Sequence, residues 1–107
     1  MTSAIMKRRS IRKFTAEKVP ADSAMRIVEA GAAAPSAMNK RPVRFILLDK
    51  AAMAALAERI DQKGPFLEGQ WAIAVCGDRR GYGPGSGWLE DCAAAMENML
   101  IAATELG

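Results

Sequence analysis

Histidine is absent from this sequence. The commonest general base and the commonest zinc ligand are therefore excluded, and any catalysis must run without imidazole. A borrowed cofactor is one way to achieve that. Cysteine is scarce: Cys76 and Cys92 stand alone, with no metal-ligand spacing. Two isolated thiols in a chain without a secretory signal read as buried core residues rather than as a disulfide. No apolar run reaches the ~18 residues that a membrane helix needs. Met1 to Ser10 carries positive charge with no apolar stretch behind it, so it is not a secretory signal. The cytoplasm is the default location. No internal repeat is present, and the only compositionally biased tract is Gly81–Gly87 (GYGPGSG).

What is present fits one soluble globular domain. The 107 residues are 50% hydrophobic and 25% charged, and a chain of this size buries roughly 60–70% of its unfolded surface. The net charge of +3 is mild but uneven. Lys7, Arg8, Arg9, Arg12 and Lys13 crowd one segment, and Lys40, Arg41 and Arg44 another. Local clusters in a nearly balanced chain point to a bound anion more than to general nucleic-acid affinity.

Periodicity and punctuation place the elements. Residues 2–9 suit a short helix. Val19-Pro20 starts another, with Asp22 in its first turn and Ala21, Met25, Val28 and Ala32 at helical spacing. It should end near Pro35-Ser36. A polar loop at 35–42 precedes a strand from Arg44 to Leu48. Asp49 can cap a helix whose face is Met53, Leu56, Ala57 and Ile60, with Gly64-Pro65 as its stop. Trp71 to Cys76 is a second strand. A long helix runs from about Trp88 to Leu106, with Leu89, Cys92, Met96, Met99, Ala103 and Leu106 as its main stripe. Ala93 to Ala95 and Leu100 to Ala102 make most of its remaining surface apolar, so it must be covered on more than one side. A second subunit or further sequence would supply that cover.

Four segments could carry chemistry. In Arg8-Arg9-Ser10-Ile11-Arg12, two guanidiniums and a hydroxyl within three residues can clamp a phosphate, and Arg12 can reach a second anionic centre on the same ligand. A solvated basic face or a nucleic-acid contact would use the same residues. In Pro35-Ser36-Ala37-Met38-Asn39-Lys40-Arg41-Pro42, serine and asparagine can hydrogen-bond the edge of a polar heterocycle, with prolines holding the loop in shape; an ordinary helix-to-strand turn is the alternative. The glycine tract lacks both dinucleotide spacing and a P-loop lysine, and reads as a flexible connection. Glu90 and Asp91 suit the helix dipole, while Glu97-Asn98 in an apolar helix suits a subunit contact.

Taken together, RRSIRKF, VPADSAMRIVEAG, APSAMNKRP, VRFILL and WLEDCAAAMENMLIAATELG, in this order and spacing, resemble the nitroreductase family of flavoproteins across nearly the whole chain. The resemblance implies an α+β fold, with helices packed on a central, mainly antiparallel sheet and the long central helix at a dimer interface. It implies FMN as cofactor, NADH or NADPH as reductant, and an electron-poor acceptor such as a nitroaromatic, quinone or enone. Arg8, Arg9, Ser10 and Arg12 would bind FMN, the leading arginines on its phosphate and Arg12 nearer the pyrimidine end of the ring. Pro35, Ser36, Ala37 and Asn39 of the other subunit would contact the isoalloxazine. No catalytic side chain and no metal ligand is implied; the partners are a second copy of the chain and a small-molecule acceptor, with no nucleic acid and no membrane. A flavin-binding or structural dimer without turnover is the alternative.

Two departures matter. The family loop usually reads Asn-x-Gln-Pro-Trp, where this chain has Asn39-Lys40-Arg41-Pro42-Val43, so acceptor preference does not carry over. Family members also usually continue past the Glu-Leu-Gly helix end, so residues 1–107 are expected to form one nitroreductase-like domain, incomplete at its C-terminal end.

Overall fold

The computed structural model describes residues 3–61 and 64–107. Its elements are α1 (Ser3–Lys7), α2 (Ala21–Ala32), a single 3-10 turn (Ala37–Asn39), β1 (Val43–Leu48), α3 (Lys50–Ala57), α4 (Gly64–Glu68), β2 (Ala72–Gly77) and α5 (Gly87–Leu106). Helices around a small antiparallel sheet make the fold α+β. The molecule is a slab of 42 × 41 × 22 Å.

Local chemistry explains most boundaries. Pro20 precedes α2, and its carbonyl accepts from the Ser23 and Ala24 amides. Asp49 caps α3 as expected, its carboxylate accepting from Ala52 N at 2.9 Å. That helix ends at Ala57, before Ile60, and Gly64-Pro65 opens α4 instead of closing α3. Proline is at home in a first helical turn, where its missing N–H is not needed. The predicted helix over 2–9 is observed as Ser3–Lys7, Thr2 lying outside the described residues.

β1 and β2 pair antiparallel, from Val43 opposite Gly77 to Leu48 opposite Ala72. Alternation leaves Val43, Phe45 and Leu47 partly buried and Arg44 and Ile46 exposed. Cys76 stands opposite Arg44 on the solvent side, so the expectation of two core thiols fails there. Cys92 is partly buried, and burial raises its thiol pKa.

The core lies where α2 crosses α5 and where α5 backs β2. At the α2–α5 crossing the buried residues are mostly small, Ala24 and Gly31 on α2 and Ala95 beside Met99 on α5, while Met53 and Ala57 of the predicted α3 face are buried as well. A Cβ added at Gly31 would lie 2.8 Å from both Met99 Cγ and Phe45 Cε1, so glycine is required by close approach. At Gly77 an added Cβ would run into the Trp88 ring. Both predicted stripes need correction. On α2 the covered face is Ala24, Ile27, Val28 and Gly31, while Ala21, Met25 and Ala32 face solvent. On α5 Cys92, Met99 and Ala103 of the predicted stripe are covered, with Asp91 and Ala95 beside them, while Leu89 (51%), Met96 (44%) and Leu106 (43%) are exposed. Interaxial distance depends on side-chain size at the contact, and here the smallest residues form it, leaving larger apolar ones outside. Leu89, Ala93, Met96 and Leu100, at helical spacing, thus form an uncovered face of α5. Asn98 Nδ2 donates to Ala30 O at 3.0 Å, linking α5 to α2 within the chain, where a subunit contact had been expected. Trp71 Nε1 donates to Val19 O at 2.8 Å and ties the entry of β2 to that of α2.

Candidate functional site

The basic segment after α1 is almost wholly exposed. No strand or helix holds residues 8–14, and its arginines mostly contact the segment's own backbone. Arg9 Nη1 donates to Met6 O (3.0 Å) and Arg8 O (2.8 Å), and Arg12 Nη1 to Ser10 O at 3.4 Å. Arg8 is the best anchored: its Nη1 lies 3.5 Å from Ser10 Oγ, and its Nε 3.7 Å from Glu97 Oε1 on α5. Arg8, Arg9, Ser10 and Arg12 line one cavity of about 610 Å³, whose other wall is Leu100, Ala103 and Thr104. Guanidinium donors face it without buried acidic neighbours, so the donor set suits a phosphate-bearing ligand.

The loop between α2 and β1 is built differently. Ser36 is extended, and Met38 (φ 50°), Asn39 (φ 55°) and Arg41 (φ 51°) are left-handed. Ser36 Oγ accepts from Arg41 N at 2.8 Å, and Asn39 Oδ1 from Arg41 Nε at 3.0 Å. Ala37 N donates to both carboxylate oxygens of Asp91, at 3.0 and 3.2 Å. Lys40 Nζ donates to Gly81 O at 2.7 Å and sits over the Tyr82 ring. Tyr82 Oη donates to Asp91 Oδ2 at 2.6 Å. Pro35 and Ser36 line a second cavity, of about 220 Å³, together with Asp91. The fold therefore gathers Arg8, Arg9, Ser10 and Arg12 in one place and Pro35, Ser36, Ala37 and Asn39 in another.

The sequence model of the nitroreductase family matches residues 5–79. The chain belongs to the nitroreductase family. A relative from Methanothermobacter thermautotrophicus, provisionally named an NADH dehydrogenase/NAD(P)H nitroreductase, is 34% identical over 105 residues, which cover 97% of this chain and 55% of the relative. A protein from Desulfovibrio desulfuricans, provisionally named a nitroreductase and crystallised in complex with FMN, superimposes with a TM-score of 0.88 at 33% identity, over 96% of this chain and 61% of that one. A Bacteroides fragilis nitroreductase with bound FMN gives 0.79 at 31% identity, over 97% and 64%. The chain thus spans 55–64% of the length of these relatives.

In this nitroreductase-family chain, sequence reasoning missed Asp91. It was assigned to the helix dipole, yet it lies past the first turn of α5, where that effect fades. It is 7% exposed and bonded to two loops. The available signal was its spacing: Asp91 precedes Ala95 and Met99 by one and two helical repeats of four, on the buried face. The glycine tract also differs from a free connection, because Gly81 and Tyr82 dock on Lys40 and Asp91. Burial, and then the hydrogen bond to Asp91, push the Tyr82 phenol up to about 12, so it stays a donor across the physiological range. At the start of the same loop, the Arg80 guanidinium grips Asp78 at 2.7–3.1 Å and holds its carboxyl near about 2.

Proposed function

We propose that this chain forms the FMN-binding part of a cytoplasmic, homodimeric NAD(P)H-dependent oxidoreductase. The observation that carries this reading is the arginine-lined cavity beside α5 at Arg8, Arg9, Ser10 and Arg12, in a chain similar to proteins crystallised with FMN. Arg8 and Arg9 with the Ser10 hydroxyl are charge-assisted donors suited to the phosphate. Arg12 offsets negative charge on the pyrimidine side of the ring. Pro35, Ser36, Ala37 and Asn39 line the isoalloxazine from a second copy, in keeping with their separation from the arginine cavity within one chain. The uncovered face at Leu89, Ala93, Met96 and Leu100 is the surface through which the copies meet. When bound, FMN supplies hydride chemistry between NADH or NADPH and an electron-poor acceptor of the nitroaromatic, quinone or enone class. The chain's own residues supply position and charge, a division of labour that needs no histidine.

A second reading is a flavin-binding dimer without turnover. Titrating the purified chain with FMN and following flavin fluorescence tests what the two readings share, and quenching with saturation is expected. Oxidation of NADH or NADPH by the loaded protein with a quinone or nitroaromatic separates them. Unquenched FMN at high protein concentration would reject both.

A further inference from the structure

We propose that Asp91 is a positioning residue of the flavin site: its carboxylate holds loop 36–41 in the shape that presents Ser36 and Asn39. The proposal rests on the FMN reading above and assigns a role to a residue outside the ligand-contacting set.

Side-chain-bearing residues in the left-handed region are unfavourable, and such conformations persist only where their surroundings over-determine them. Loop 36–41 has three of them, Met38, Asn39 and Arg41. The bonds from Arg41 to Ser36 and Asn39 lie within the loop and cannot fix it to the body of the fold. Asp91 can. Its two oxygens straddle Ala37 N at 3.0 and 3.2 Å from a rigid twenty-residue helix.

The arrangement suits a carboxylate. Two donors, an amide N–H and a phenol O–H, converge on Asp91. A carboxylate offers two charged acceptor oxygens, whereas an asparagine has one neutral oxygen to serve both donors. No described ion pair includes Asp91, so these donors are what compensate its burial. Tyr82 shares the carboxylate while Lys40 bonds Gly81. The β2–α5 loop is thereby latched to the same point, and the two loops should move together.

The test compares Asp91→Asn, Asp91→Ala and Tyr82→Phe with the wild-type chain. FMN affinity is read by fluorescence quenching, and backbone mobility by hydrogen exchange without flavin. Asp91→Ala is expected to weaken FMN by roughly tenfold to a hundredfold, the scale of losing hydrogen bonds to a charged group. Asp91→Asn and Tyr82→Phe should lose less. In the same order, amides of residues 36–41 should exchange faster while α2 and β1 keep their protection. Wild-type affinity and exchange in folded Asp91→Asn would overturn the proposal. So would a uniform rise in exchange across α2, β1 and α5, because Asp91 would then merely stabilise the fold. If Asp91→Ala does not fold, the other two variants decide. A wild-type chain that binds no FMN rejects the flavin reading itself, and exchange at residues 36–41 alone then upholds or overturns the clamp.

Discussion

The arginine segment at residues 8–12 and the loop at 36–41 contribute to the same proposed site by opposite means. The segment is exposed, unattached to either strand, and folds its guanidiniums onto its own carbonyls. The loop is held in an unfavourable backbone conformation by Asp91, Ser36 and Lys40. A phosphate is a compact, highly charged target that long side chains can reach from many starting positions. A planar ring edge is read by hydrogen bonds that must be in place beforehand, because ordering them on binding costs affinity. The molecule thus combines an adaptable electrostatic half with a preorganised geometric half.

The comparison is broken most severely by keeping the halves apart. Ala93→Arg sets a charge in the middle of the uncovered α5 face, where an isolated chain tolerates it because the position is exposed. An unpaired guanidinium buried between two copies costs several kcal/mol, so dimerisation should weaken by roughly a hundredfold or more. Light scattering and flavin absorbance on one sample should show the dimer and the cofactor lost together. A monomeric variant that keeps its flavin would place the whole site in one chain.

Arg8→Ala sharpens the contrast. Loss of a charge-assisted phosphate contact should weaken FMN by roughly tenfold to a hundredfold. The thermal midpoint of the flavin-free protein should hardly move, since substitutions at exposed positions usually stay within about 0.5 kcal/mol, and the Glu97 contact at 3.7 Å is loose and solvent-exposed. A large drop in midpoint would make the segment part of the scaffold.

The smallest effect is a titration. Tyr82 is the chain's one tyrosine, so phenolate absorbance reports it alone. In the folded protein it should titrate near about 12, against an ordinary 10.0. The proton is held more tightly in the folded state. Its contribution to stability is therefore complete below pH 10 and lost as pH rises toward 12. Asp91→Asn should return the midpoint part of the way toward its ordinary value.

Much of this was legible in the sequence, through features that act locally. Asp49 as a cap, Pro20 before a helix, the two strands to within a residue or so, and the long last helix follow from nearest-neighbour chemistry. The order and spacing of RRSIRKF, APSAMNKRP and the last helix pointed to the family. What was not legible lies at contacts between distant segments. Hydrophobicity favoured Met25 and Met96 for the core, but the crossing of α2 and α5 uses Ala24, Gly31 and Ala95 because they let the helices approach. Asp91 matters through Ala37, fifty-four positions away in sequence. A helix wheel gives an acid on a buried face no partner, and only tertiary structure supplies one.

The position of α5 has a consequence for how the protein is made. Gly31 packs on Met99, Ala37 hangs from Asp91, and Ala30 bonds Asn98. During synthesis, α2, both strands and the loop between α2 and β1 leave the ribosome before any of these contacts can form. The elements ahead of α5 must wait, with apolar faces open to proteases and chaperones, until that helix emerges and packs on them.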